Sequence, residues 1–224
     1  MIRSRYTKRK FYGKWLYKAT ISVPGISIFR LKSIDDVIEF CDSNHQKTQH
    51  QHSIKDKAYS NRVKIREVAV MLNTWPVNDW SKRIEHNSVD LYTNDEEIYK
   101  EISEKCEDII TGLFEPNPET IDSLDHPSNV LVKKYPHNRY KHKVYLLPHK
   151  ISTDKDVRDA YLDWVEQQSP RILISEAVKK WFMTTFWNWD RRYVLVEDNQ
   201  TLLMLKLRNP DVIGRVYDYV LTDK

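Results

Sequence analysis

Residues 14–23 alternate apolar and polar side chains with a period of two. A strand sends successive side chains to opposite faces. Trp15, Tyr17, Ala19, Ile21 and Val23 therefore share one face, and Lys14, Lys18, Thr20 and Ser22 the other. Pro24-Gly25 marks a turn. Ser33-Ile34-Asp35-Asp36 opens a short helix, with Ser33 as cap and acids where the helix dipole favours them. Residues 43–61 are polar and aperiodic and read as a loop, and 63–72 reads as a strand. A hairpin follows over 80–85 and 89–93, turning at His86-Asn87-Ser88. Asn94 is expected to cap a helix whose Ile98, Ile102, Cys106, Ile109, Ile110 and Leu113 form one apolar stripe, with Glu97 at capping-box spacing. The opposite face of that helix is acidic (Glu96, Glu101, Glu104, Glu107, Asp108) and unsuited to nucleic acid.

Three prolines and little periodicity make 115–129 a connector. The expected organisation is a basic arm (1–13), a first α/β half (14–114), the connector, and a second α/β half (130–224). The second half predicts strands at 130–134 and 139–147, a helix from Thr153-Asp154, and another capped by Ser175. A strand at 192–197, a helix at 199–208 and a closing strand at 216–221 complete it.

The two halves share a pattern. Lys14-Trp15-x-Tyr17-Lys18 parallels Arg139-Tyr140-x-His142-Lys143, each running into an apolar alternation that ends at Pro24 or Pro148. Later come Trp80, Arg83 and Thr93-Asn94-Asp95 in one half, and Trp189, Arg192 and Glu197-Asp198-Asn199 in the other. The fold class expected is α+β: two related halves, each an antiparallel sheet with helices on one face, ferredoxin-like and in tandem.

At 224 residues, with 40% hydrophobic and 30% charged side chains, the chain is globular in composition. Seven Trp, thirteen Tyr and six Phe supply large apolar areas for burial. Only four glycines argue against a glycine-rich phosphate loop. Cys41 and Cys106 are far apart and sit in apolar patterns, as buried thiols of a reducing compartment do. No apolar run approaches the ~20 residues of a membrane span, and no secretory h-region follows the basic start. A cytoplasmic protein with no membrane partner is expected. Nine cations precede the first acid, Asp35, against a net charge of +4, so the rest of the chain carries −5. A cationic arm on an acidic body is suited to a polyanion.

Candidate chemistry follows the cations. Arg139, Lys141, Lys143 and Tyr145 fall on one face of the 139–147 strand, opposite Tyr140, His142, Val144 and Leu146, and Lys133, Lys134 and Lys150 flank it. Alternate cations beside an aromatic ring can track phosphates and stack a base. Residues 186–193 (Phe-Trp-Asn-Trp-Asp-Arg-Arg-Tyr) are the densest aromatic-basic cluster, with Arg191 and Arg192 available to phosphate unless the rings simply fill the core. The nucleic-acid-binding candidates are therefore Arg3, Arg5, Lys8, Arg9, Lys10, Lys14 and Lys18 in the first half, and Arg139, Lys141, Lys143, Tyr145, Arg191 and Arg192 in the second.

Eight histidines raise a metal reading: His50-Gln51-His52 with Tyr59 downstream, and His137, His142 and His149. Their spacings match no zinc pattern, and His142 beside Tyr140 suits a packed core position. Asp90 and Asp190 are lone acids near cations, and ion pairs account for them. No catalytic residue, metal ligand or cofactor is assigned. The reading is a binder of single-stranded RNA or DNA; the alternatives are a metal-dependent nuclease and a protein–protein adaptor.

Residues 90–95 (Asp-Leu-Tyr-Thr-Asn-Asp), 135–143 (Tyr-Pro-His-Asn-Arg-Tyr-Lys-His-Lys) and 192–198 (Arg-Tyr-Val-Leu-Val-Glu-Asp) resemble segments of tailed-bacteriophage proteins of no assigned activity. That resemblance is diffuse, implies a host-cytoplasm location and little else, and brings no activity or site residues; the overall expectation is a strand binder that regulates viral replication or gene expression.

Overall fold

A computed structural model describes residues 4–43, 54–147, 150, 154–182 and 192–222. The chain divides into two compact units, Met1–Ile121 and Asp122–Lys224. The unit boundary thus falls inside the expected connector, within a 3-10 turn at Ile121–Leu124.

In the first unit, β1 (Arg5–Tyr6), β2 (Tyr17–Ser22), β3 (Trp80–Glu85), β4 (Ser88–Thr93) and β5 (Ile110–Glu115) form one sheet in the order β1-β5-β2-β4-β3. In the second, β6 (Asn129–Val132), β7 (His142–Leu146), β8 (Ile172–Leu173), β9 (Tyr193–Val196) and β10 (Ile213–Leu221) run β6-β10-β7-β9-β8. Counted within each half, these orders are the same. In each, the first strand pairs in parallel with the last, and the other pairings are antiparallel. The sheets are therefore mixed rather than purely antiparallel, because each half adds a parallel edge strand to its four antiparallel ones.

The repeated cation–aromatic motif lands on equivalent strands. β2 and β7 are the central strands, and Trp15/Tyr140, Ala19/Val144 and Ile21/Leu146 are buried pairwise. Lys18 and Lys143 project from the opposite faces, opposed by Phe114 and Tyr217 respectively. Asp95 and Asp198 both cap the helix after the fourth strand. Of the second part of the sequence repeat, the helix cap carries over but the tryptophan–arginine pair does not. Trp80 and Arg83 lie on β3, whereas Arg192 precedes β9, and Trp189 lies outside the described residues.

Helices cover one face of each sheet. α1 (Ile34–Asp42), α2 (Ile54–Ser60), α3 (Arg62–Thr74) and α4 (Glu96–Lys105) bury Val37, Ala58, Ile65, Leu72 and Ile102 in one core with Ala19, Ile21, Val89 and Leu91. α5 (Lys155–Gln167), α6 (Glu176–Phe182) and α7 (Asn199–Arg208) bury Val165, Phe182 and Leu205 in another with Val144, Leu146, Val194 and Val196. Among the described residues, the opposite face of each sheet carries no helix from these core clusters.

Several local expectations change. Residues 63–72 form part of helix α3, not a strand. Ile65, Val68, Ala69 and Leu72 recur at three- and four-residue intervals and are all buried, while Val63 points outward. The expected loop at 43–61 contains α2; its residues 44–53 lie outside the described residues. α4 stops at Lys105, and Ile110 and Leu113 continue as strand β5, where they pair with Ile21 and Ala19. The α4 cap is Asp95, whose carboxylate accepts from the Glu97 and Ile98 amides; Asn94 instead accepts from the Leu16 amide. Ser33 caps α1, as expected, and Asp36 closes a full capping box with it. β7 begins at His142 rather than Arg139, because a 3-10 turn at Pro136–Asn138, with His137 and Asn138 at positive φ, breaks the extended chain.

The arm is not separate from the first unit. β1 pairs with β5, the Thr7 amide and hydroxyl bond the Glu115 and Leu16 carbonyls, and Phe11 bridges Trp15. Pro24-Gly25 turns the chain as expected, with Gly25 at φ 89.

Candidate nucleic-acid interface

The open face of the second sheet collects four strand-borne polar or aromatic side chains and Arg215, around the buried Leu195. Strand alternation sends Lys143 and Tyr145 of β7, Tyr193 of β9 and Tyr217 of β10 away from the helices, while His142, Val144, Leu146, Val194 and Val196 turn toward them. Cross-strand register makes Tyr145 opposite Tyr193, and Lys143 opposite Tyr217. A register shift in β10 between Ile213 and Val216 brings in Arg215, which donates to the Tyr217 hydroxyl at 3.0 Å. That hydrogen bond raises the Arg215 pKa further, so the group is cationic throughout the accessible range.

The ring geometry is close. The Lys143 ammonium lies 3.8 Å from the Tyr193 ring centroid and 5.1 Å from that of Tyr145. Tyr145 is 5.8 Å from both Tyr193 and Tyr217, tilted to one and edge-on to the other. Tyr193 keeps 37% of its surface exposed. Among the described residues, neither Lys143 nor Arg215 is held by a carboxylate; each is held by tyrosine. Among the described residues the patch therefore offers positive charge without a carboxylate partner beside the exposed Tyr193 and half-buried Tyr145 rings, Tyr217 being buried beneath.

The equivalent face of the first sheet is built differently. Lys18 bonds Asp90 at 2.9 Å, and Asp90 also accepts from the Thr20 and Tyr92 hydroxyls. Phe11 packs on Tyr92 and Phe114 at 5.6 and 5.9 Å, and Tyr12 meets the Tyr92 ring edge-on at 5.2 Å. Burial, with the neighbouring Tyr12 and Asp90, pushes the Tyr92 hydroxyl well above its ordinary pKa, so it stays protonated and donates. Lys18 is thus neutralised and covered, which removes it from the set of free phosphate contacts. The ion-pair explanation expected for Asp90 holds.

The remaining candidates are placed as follows. Arg139 pairs with Glu197 at 2.9 Å, and Arg192 stacks on the Trp181 ring at 4.2 Å; both thus have internal partners. Lys141 is exposed just before β7, its amide bonded to the Val196 carbonyl. Arg5, Lys8 and Arg9 of the arm and Lys14 just after it are exposed and Lys10 is half-buried, with Lys14 over the Trp15 ring and Arg5 near Phe114. Arg3 and Arg191 lie outside the described residues.

Tyr217 and Arg215 escaped the sequence reading. The signal was present, since Arg215, Tyr217 and Tyr219 alternate with Val216, Asp218 and Val220. Tyr193 stood in the 186–193 cluster but was not separated from it.

The histidine reading resolves at one position. His142 is buried and its Nδ1 lies 2.7 Å from Asp218, whose second oxygen accepts from Ser128 at 2.5 Å. It is a core histidine fixed between β7 and β10. Among the described residues no group of three or more His, Cys, Asp or Glu is placed to hold a metal; His50, His52 and His149 lie outside them. Cys41 and Cys106 are buried free thiols, and burial raises both, Cys106 to about 11. No helix among the described residues is long and apolar enough to cross a membrane. Comparison with family models, curated proteins and solved structures finds no match to the chain.

Proposed function

We propose that the protein binds single-stranded RNA or DNA on the open face of its second sheet. The observation that carries this reading is the Lys143 ammonium seated against two tyrosine rings, with no carboxylate among the described residues to neutralise it. A single strand presents unstacked bases and a phosphate at every nucleotide. Tyr145 and Tyr193 supply surfaces for the bases, and Lys143 and Arg215 supply charge for the backbone. Stacking accepts any base, so weak sequence preference and strong salt dependence go with this chemistry. Duplex nucleic acid is disfavoured because its bases are already stacked. A cytoplasmic setting belongs to the same proposal and is in keeping with two buried free thiols.

Lys143→Ala tests the charge part of the reading. The substitution is expected to weaken binding of a fluorescein-labelled oligothymidylate regardless of sequence context. It should also lower the slope of log K against log salt by about 0.7, the value for one phosphate contact on a single strand. Fluorescence anisotropy at several salt concentrations measures both. An unchanged affinity and slope would remove this face from the reading.

A further inference from the structure

The first half repeats the strand order of the second, yet its open face is already occupied. Phe11 and Tyr12 lie where a stacked base would lie on the other sheet, against Tyr92 and Phe114, and Lys18 is spent on Asp90. The same packing holds residues 5–15 in a defined path. β1 is hydrogen-bonded to β5, Thr7 is anchored at both its amide and its hydroxyl, and Trp15 is buried. Arg5, Lys8, Tyr12 and Lys14 of this path are exposed, Tyr12 at 59%, while strand alternation turns Tyr6 to the other face of β1 from Arg5. No acid occurs before Asp35 to neutralise it from within the segment.

We infer that the first half does not bind a strand on its sheet face, but does so on the outer side of the segment that covers that face. This inference rests on the single-strand reading given for the second sheet. A cationic segment fixed in place loses little freedom on binding, unlike a free tail of the same charge, so its cations act as a preorganised surface. Two separate surfaces on one chain then engage one long strand. The second contact becomes intramolecular, and affinity rises without any new kind of contact. Arg5, Lys8 and Lys14 take phosphates, and Tyr12 offers the exposed ring.

The test compares labelled oligothymidylates of about 6 and about 30 nucleotides, the shorter sized for one surface. The full-length chain is used as wild type and as the triple variant Arg5→Ala, Lys8→Ala, Lys14→Ala. All three positions are exposed, and circular dichroism checks that the fold is retained. The wild type is expected to bind the long strand about 100-fold more tightly than the short one. The triple variant should keep its affinity for the short strand and lose about tenfold or more for the long one. Its salt slope on the long strand should fall by about 0.7 for each phosphate contact removed. Equal long-strand affinity in the two proteins would overturn this inference and leave the second-sheet site standing. Loss of the short strand as well would place all contacts in one site, and would overturn it too. No short-strand binding by the wild type would overturn the reading on which the inference rests.

Discussion

Replacing Tyr145 and Tyr193 together with alanine is expected to cost about 2–4 kcal/mol in single-strand binding, since each base–aromatic stack is worth about 1–3 kcal/mol. That is a loss of roughly 30- to 1,000-fold in affinity. Neither tyrosine carries charge, so the slope of log K against log salt should stay where it was. This combination separates the tyrosines from Lys143, whose removal lowers the slope. The two rings face away from the helices and contact each other and Lys143, so the fold should survive. Titrations at low and high salt, with thermal unfolding alongside, measure all of this. A double variant that binds as the wild type does would leave the rings with a packing role only.

Gly25→Ala is expected to be the most damaging single methyl in the protein, destabilising it by about 2–4 kcal/mol. Two costs add. Gly25 has φ 89, a left-handed conformation that alanine adopts only with strain. A Cβ at this position would also sit 2.2 Å from the backbone nitrogen of Ala58, at the heart of helix α2, where no flexible side chain can yield. The turn feeds the 3-10 segment Ile26–Arg30, whose Ile26, Ile28 and Phe29 are buried. The damage should therefore reach the core of the first half. Urea unfolding of wild type and variant gives the difference directly. Gly112 makes a useful contrast. A Cβ there meets nothing nearer than 3.6 Å, so Gly112→Ala should be much milder.

Period-two alternation proved the most readable signal. It placed Ala19, Ile21, Val144 and Leu146 in the cores and Lys18 and Lys143 outside them, because a strand with one covered face has no other way to hide its apolar half. The same logic exposed the repeat through Lys18 and Lys143, which occupy equivalent strands in sheets of identical order. Residues 63–72 misled because Val63, Ile65, Val68 and Val70 suggest a strand by type, while the buried set Ile65, Val68, Ala69 and Leu72 is helical by spacing. Spacing won, since burial of one helical stripe outweighs a few tenths of a kcal/mol of intrinsic preference per residue. The α4-to-β5 boundary was hidden for a related reason. Ile109, Ile110 and Leu113 happen to continue the helical stripe, so only pairing with β2 reveals the change.

The candidate site was half visible. Lys143 and Tyr145 follow from one strand's alternation, but Tyr193, Tyr217 and Arg215 join them only through cross-strand register, which a linear sequence does not state. The fate of Lys18 was equally long-range. Its neutralisation depends on Asp90, and its cover on Phe11, both brought in by tertiary pairing. A cation identical in local pattern to Lys143 is thereby held by a carboxylate, whereas Lys143 lies against tyrosine.

The most direct test of the account is photocrosslinking. A short single-stranded oligonucleotide carrying 5-bromouracil or 4-thiouracil is bound to the full-length protein and irradiated, and the adduct is located by peptide mass spectrometry. The account predicts adducts at Tyr145 or Tyr193, suppressed by competing unlabelled single strand and by raised salt. Adducts confined to the helical side of the second half, on Leu203 or Leu207 of α7 or Val157 of α5, would contradict it.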